Sequence, residues 1–270
     1  GRQARPAQGE PGRTSRRARP RVRPRDRPRV RPALPFGFRL GNIGIRFALW
    51  LLRTRVVVEG VERVPDQPSV ILASNHLSIM DPPILSVVLE RAVGRQVRYM
   101  AKAEALGYPV VGWMLVNYGG FGVRRGQPDR EAYRRALAVL TEGDWLGVAP
   151  EGTRSRTGHL GEPKPGVALL AQRSGATLLP VGIWGTERLW PVGARLPRFG
   201  QLVTIRFGEP YLPAGPGSSS DPGKESGSSL GAGANGAVAN ERRATTTAIG
   251  DDLMGRIAAL LPPAYRGRFG

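Results

Sequence analysis

Hydrophobic positions along this chain alternate between two periods, and the switches mark out its elements. Residues 55–60 (Arg-Val-Val-Val-Glu-Gly) and 69–74 (Ser-Val-Ile-Leu-Ala-Ser) read as strands. The second is an almost unbroken apolar run, the pattern of a strand buried on both faces. Residues 82–89 have helical spacing, and 97–102 form another short strand. Helical spacing returns over 128–141, where Tyr133, Ala136, Leu137 and Leu140 make the apolar stripe. Residues 146–150 and 177–181 read as buried strands, with a helix at 167–174 between them, and 202–207 closes the sheet. Alternating strands and helices predict an α/β fold with a mainly parallel central sheet flanked by helices.

The pattern lapses twice. Residues 213–240 are rich in Gly, Ser and Ala with few bulky apolar groups, which predicts a flexible linker. After it, Ile249, Leu253, Ile257, Ala258 and Leu261 restore helical spacing until Pro262-Pro263. Residues 241–266 are therefore expected as a C-terminal helix packing on a main domain of residues 36–212. The other lapse is at the start. Residues 1–35 hold twelve arginines against Glu10 and Asp26, contributing +10 of the chain's net charge of +19. Arg-Pro alternation without apolar periodicity builds no core, so a disordered tail is expected. It reads as a solvated tail or as upstream sequence translated in error. A tail binding anionic lipid or nucleic acid is the other reading. The lack of interleaved aromatics argues against base stacking, so nucleic acid is not expected as a partner.

Between tail and sheet, residues 43–52 (Ile-Gly-Ile-Arg-Phe-Ala-Leu-Trp-Leu-Leu) are apolar but too short to span a bilayer, which takes about 20 such residues. With Phe36, Phe38, Arg39, Leu40, Arg53 and Arg55 they mix aromatic, aliphatic and basic side chains. That suits an amphipathic helix lying among lipid headgroups, and equally a packing helix that opens a domain. No cleavable signal peptide or stop-transfer pattern is evident. The expected location is the cytoplasmic face of the cell membrane, as a peripheral or monotopic protein.

The chain has no cysteine, which excludes disulfides, thiolate metal sites and a Cys nucleophile. Its histidines are His76 and His159. His76-Leu77-Ser78-Ile79-Met80-Asp81 is an HxxxxD element. Positions five apart sit about 140° apart on a helix, so the two side chains do not share a helical face. Because Asp81 precedes Pro82, a loop or a frayed helix start is expected to curl the carboxylate back to the imidazole. Such a pair is a ready general base. Alone, the six residues fit a capping aspartate beside a surface histidine as well. His159, in Thr157-Gly158-His159-Leu160-Gly161, reads as a surface-turn residue. Trp145, Trp184 and Trp190 read as core or pocket wall.

Further chemistry-bearing segments fall where strands end. Gly119-Gly120-Phe121-Gly122-Val123-Arg124-Arg125-Gly126 combines close-approach glycines with phosphate-gripping arginines. Pro150-Glu151-Gly152-Thr153-Arg154-Ser155 sets a carboxylate, a turn glycine, a hydroxyl and a guanidinium directly after a strand. Leu179-Pro180-Val181-Gly182 ends a later one. These blocks, in this order, resemble the glycerolipid acyltransferase family typified by the 1-acylglycerol-3-phosphate acyltransferases. Its members carry HxxxxD, a Gly-rich block ending in Arg, (F)PEGTRS and an apolar block with Pro. The likeness covers roughly residues 36–212 and 241–266. Ala149 stands where the family usually has Phe, and Arg124 adds a charge beside the arginine of the Gly-rich block.

The resemblance implies a glycerol-3-phosphate acyltransferase-like fold and transfer of a fatty acyl group from a thioester to the free hydroxyl of 1-acylglycerol-3-phosphate, giving phosphatidate. His76 would be the base and Asp81 its orienting carboxylate. Arg125, Glu151, Gly152, Thr153 and Arg154 would place the acceptor, with Glu151 ordering Arg154 or a hydroxyl. Lys102, after a strand, is either a further ligand contact or a solvated lysine. No metal and no bound cofactor are implied. The donor would be acyl-CoA or an acyl carrier protein thioester, and the partners the membrane surface and its lipids. Other acceptors (another lysophospholipid, glycerol-3-phosphate, a glycolipid) fit the same blocks.

Overall fold

The computed structural model of the protein describes residues 1, 33–124, 129–213 and 234–270. Among them are strands β1 (Arg55–Glu59), β2 (Val70–Ser74), β3 (Val97–Lys102), β4 (Phe121–Val123), β5 (Trp145–Val148), β6 (Thr177–Trp184) and β7 (Leu202–Phe207). They form one sheet in the order β1-β7-β6-β2-β5-β3-β4. Every pairing is parallel except that of β6 with β7, which is antiparallel. The helices are α1 (Phe36–Leu51), α2 (Asp81–Val93), α3 (Pro109–Asn117), α4 (Arg130–Thr141), α5 (Pro165–Ser174), α6 (Thr186–Leu189) and α7 (Ala234–Leu260).

Side-chain alternation along β2 shows how the layers form. Ile71 and Ala73 join one core with Ala136, Leu140, Ala168 and Leu253, from α4, α5 and α7. Val70 and Leu72 join another with Leu49, Ile84, Leu85 and Leu89, from α1 and α2. A period-two strand that is apolar throughout has no solvent face, so helices must cover both sides of the sheet. The parallel strands then deliver their carboxyl ends to a common edge, where an open α/β sheet leaves a crevice.

Several boundaries differ from the sequence expectation. α7 begins at Ala234, inside the segment read as linker, where Ala237-Val238-Ala239 has the propensity to extend a helix. The Arg/Pro tail at 2–32 and the linker core at 214–233 lie outside the described residues. α3 and β4 were not expected. Pro109-Val-Val-Gly-Trp-Met-Leu-Val-Asn117 is apolar all round and so shows no stripe. β4 lies in the Gly-rich block, which was read for its close-approach glycines and its arginines and not as a strand. Gly122 pairs with Ala101 of β3, and the chain there approaches Ala103 closely enough that a Cβ would crowd it.

One polar junction is buried among these helices. Asn42 of α1, fully buried, donates from Nδ2 to Glu90 Oε2 of α2 at 2.8 Å, and its Oδ1 accepts from the Tyr118 hydroxyl at 2.5 Å. Tyr118 follows α3, so this junction ties α1, α2 and α3 together.

Candidate active site

The HxxxxD element leaves the C-terminal end of β2 and enters α2. Asn75, buried, grips the backbone of β6: its Nδ2 donates to the Ile183 carbonyl at 2.7 Å and its Oδ1 accepts from the Ile183 N–H at 2.8 Å. That two-sided clasp fixes the chain just before His76. A tight turn follows, closed by the Asp81 N–H donating to the Ser78 carbonyl at 3.2 Å. Asp81 is the first residue of α2, with Pro82 and Pro83 next, where a missing N–H costs no helical hydrogen bond. The helix start that was expected to return the carboxylate to the imidazole is present.

Asp81 Oδ2 accepts from the Leu77 N–H at 2.7 Å and from the Ser78 N–H at 2.9 Å, and it meets His76 Nδ1 at 2.7 Å. An ionised carboxylate only accepts, so this geometry assigns the proton to Nδ1 and leaves Nε2 with its lone pair. The Asp81 side chain is 2% exposed and that of His76 16%, so the pair is largely dry and open at one end. The other oxygen, Asp81 Oδ1, is buried without a partner. Ser78 Oγ donates to the Trp190 carbonyl at 3.0 Å, anchoring the turn from the far side.

The Pro150–Ser155 segment docks against the same turn. The Ser155 N–H donates to the His76 carbonyl at 2.8 Å. Gly152, at φ +73, supplies a left-handed turn that a side chain would strain. Glu151 is 6% exposed and accepts from the Gly161 N–H at 2.9 Å. Its other oxygen has no hydrogen-bond partner. The expectation that Glu151 orders Arg154 or a hydroxyl is not met, because the loop folds back and presents a backbone N–H first. Burial raises the Glu151 carboxyl above its ordinary range; the Gly161 N–H and His76 work against that shift, and the nearby Asp81 charge adds to it.

A cleft of about 370 Å³ opens over His76. Lys102 and Arg154 line it beside His76, as do Met114, Leu115 and Tyr118 from α3 and the residue after it. Arg154 has neither hydrogen bond nor ion pair among the described residues, so its guanidinium is available to an anion. Lys102 is more than half exposed and pairs with Glu104 at 3.2 Å. A second cavity of about 180 Å³ holds His76, Asp81 and Gly152 in its lining with Leu85, Tyr99 and Val148. Tyr99, with His76, Pro82 and Met100, lines both. Gly147 on β5 has to be glycine here, since a Cβ would overlap the Tyr99 ring.

The structure thus brings together His76, Asp81, Glu151, Gly152, Arg154 and Lys102. Thr153 is exposed and lines neither cavity. Arg125 lies outside the described residues; Arg124 beside it is held by Asp129, whose carboxylate accepts the Arg124 N–H at 2.9 Å. His159 is an exposed turn residue, and Trp145 is core. Asn75, Ser78 and the α3 wall were missed. Asn75 and Ser78 act through backbone carbonyls more than 100 residues away in sequence, which spacing cannot reveal. Among the described residues no group of three or more His, Asp or Glu side chains converges as a metal site requires.

Residues 55–184 match the Acyltransferase family. A 1-acyl-sn-glycerol-3-phosphate acyltransferase of Borreliella burgdorferi is 31% identical over 148 residues, 54% of this chain and 58% of that protein. One of Bacillus subtilis is 30% identical over 159 residues, 59% of this chain and 75% of that protein. The crystal structure of the 1-acyl-sn-glycerophosphate (LPA) acyltransferase PlsC from Thermotoga maritima superposes with a TM-score of 0.56 at 27% identity, covering 78% of each chain. This chain spans about half the length of several of the curated relatives it matches. With the fold, the ordered blocks and the Bacillus relative in agreement, the chain belongs to the acyltransferase family that includes the 1-acyl-sn-glycerol-3-phosphate acyltransferases.

Proposed function

We propose that the protein acylates 1-acylglycerol-3-phosphate at a membrane surface, forming phosphatidate. The observation that carries this is the His76–Asp81 pair at 2.7 Å, open at its histidine end beneath a cleft lined by Arg154 and Lys102. His76 Nε2 takes the proton from the acceptor hydroxyl as that oxygen attacks the thioester carbonyl. Asp81 holds Nδ1–H and stabilises the imidazolium. The new ester bond forms as the carbon–sulfur bond breaks, and the leaving thiolate takes the proton back from His76. No acyl-enzyme is needed, because the acceptor supplies the nucleophile. Arg154 and Lys102 attract the acceptor's phosphate, and Arg125 is assigned to the same task by its block. Acyl-CoA or an acyl carrier protein thioester is the donor.

The surface of α1 supports membrane attachment. Phe38, Asn42 and Leu49 face the protein, whereas Phe36, Leu40, Ile43, Phe47 and Trp50 form a second apolar stripe on the opposite side, exposed. Arg39 and Arg46, seven residues apart, lie on one flank of α1 between the two, and Arg53 follows just past its C-terminal end. A helix with this cross-section beds its outer stripe among acyl chains and leaves guanidiniums at the phosphates. α3 adds exposed Val110, Val111, Trp113 and Val116. No helix among the described residues is long and apolar enough to cross a membrane. A net charge of +19 favours the anionic cytoplasmic leaflet.

The test is to incubate wild type and His76→Ala with labelled acyl-CoA and a panel of lysophospholipids in mixed micelles. Phosphatidate formed by the wild type alone is the expected outcome. Equal product from both proteins, or acylation of every acceptor except lysophosphatidate, overturns the assignment.

A further inference from the structure

A third cavity, about 560 Å³ in volume, lies between α1, β1 and α2 and shares no lining residue with the two around His76. Its size falls within the range of about 300–1,000 Å³ usual for small-molecule sites. Three periodicities build it. α1 contributes Arg46 and Trp50, four apart; α2 contributes Val88 and Arg91, three apart; β1 contributes Val56 and Val58, on one face of an edge strand. Apart from Thr54, whose hydroxyl is buried without a hydrogen-bond partner, the remaining walls are apolar, and among the lining residues the charges are two arginines with no acid. Neither Arg46 nor Arg91 has a hydrogen bond or ion pair among the described residues. Two unpaired cations over an apolar trough fit an amphiphile with an anionic head.

We infer that this groove binds an anionic phospholipid, with its phosphate between Arg46 and Arg91 and an acyl chain along Val56, Val58 and Val88. Charge complementarity selects that occupant. The chain's own N-terminal segment carries twelve arginines, and a second copy would bring another +19, so both are repelled by the groove's cations. Position agrees, because Trp50 lines the groove while Phe47, on the same helix, is exposed on the outer stripe. A lipid therefore enters sideways from the leaflet on which α1 lies. The inference relies on the membrane attachment proposed above but not on the chemistry at His76.

Binding is read without turnover. Isothermal titration of the full chain with dihexanoyl phosphatidylglycerol, kept below its micellar concentration, is compared with dihexanoyl phosphatidylcholine. Arg46→Gln/Arg91→Gln removes the cations, Val88→Trp fills the groove, and Arg39→Gln/Arg53→Gln makes the same charge change within and just after α1, at residues that do not line the groove. Thermal melts confirm that each variant is folded. The expected result is saturable one-to-one binding of the anionic lipid, weakened about tenfold or more by the first two variants and unchanged in the third. Equal affinity for the zwitterionic lipid, equal weakening by Arg39→Gln/Arg53→Gln, or intact binding in Val88→Trp overturns it. So does sedimentation showing a dimer that the lipid does not perturb, which would assign the groove to a second copy.

Discussion

Replacing Asp81 by Asn separates charge from geometry at the proposed base. The three contacts to Oδ2 decide how the amide settles. Two of the donors are backbone N–H groups, which tolerate only an oxygen, so the Asn oxygen takes the place of Oδ2. The amide nitrogen is left where Oδ1 stands buried and unpartnered. Nδ1–H of His76 still finds an acceptor, so the tautomer and ring orientation survive. What disappears is the negative charge facing the imidazolium that forms as the acceptor hydroxyl is deprotonated. For charges about 4 Å apart at an effective dielectric of about 20, that attraction is about 4 kcal/mol. At about 1.4 kcal/mol per decade, kcat is expected to fall close to 10³-fold. KM should stay within about threefold, since the cationic residues lining the cleft are untouched.

Initial rates of product formation over a range of lysophosphatidate concentrations supply both constants. A second arm adds His76→Ala to Asp81→Asn. If the carboxylate acts through the imidazole, the double variant is no worse than His76→Ala alone, because residues that work as a unit are non-additive. Loss of kcat under tenfold, or a double variant that multiplies the two single losses, would refute the coupling. A melting temperature far below that of wild type would signal instead that the buried amide disrupts the turn, and Asp81→Ala then serves as the comparison.

Glu151→Gln is expected to raise the melting temperature at neutral pH. The carboxyl's value is raised above 4.5 in the fold, so its contribution is complete below the unfolded value and is lost as pH rises through the folded one. The gain should therefore vanish in melts recorded under acidic conditions, and a pH-independent difference would contradict it. Asn42→Leu orphans both the Tyr118 hydroxyl and Glu90, costing about 2–4 kcal/mol in urea unfolding. Adding Tyr118→Phe should recover part of that loss, and simple additivity would show that the junction does not act as a unit. Phe47→Glu/Trp50→Glu, at positions 59% and 71% exposed, should leave the melting temperature within about 2 °C while reducing co-sedimentation with anionic vesicles. Unchanged vesicle binding would move the membrane contact away from α1.

What was legible in the sequence and what was not follows from the range of the interaction involved. β2 was readable because its burial on both faces demands an apolar run, and the turn at Asp81 because a proline and an aspartate constrain their own neighbourhood. α3 was hidden because a helix that meets a cleft on one side and exposes valines and a tryptophan on the other has no polar face to set its period. The role of Glu151 was misread for a different reason. Its motif suggests a side-chain partner a few residues away, but the chain turns at Gly158, φ +83, and returns Gly161 to the carboxylate. Burial then changes the surroundings of the residue: the glutamate is fixed by one backbone N–H, its second oxygen is unpartnered, it feels Asp81 and His76 nearby, and it makes no hydrogen bond or ion pair with the loop arginine. Motif spacing identifies which side chains are available, and only the return path of the chain decides which charge each one feels.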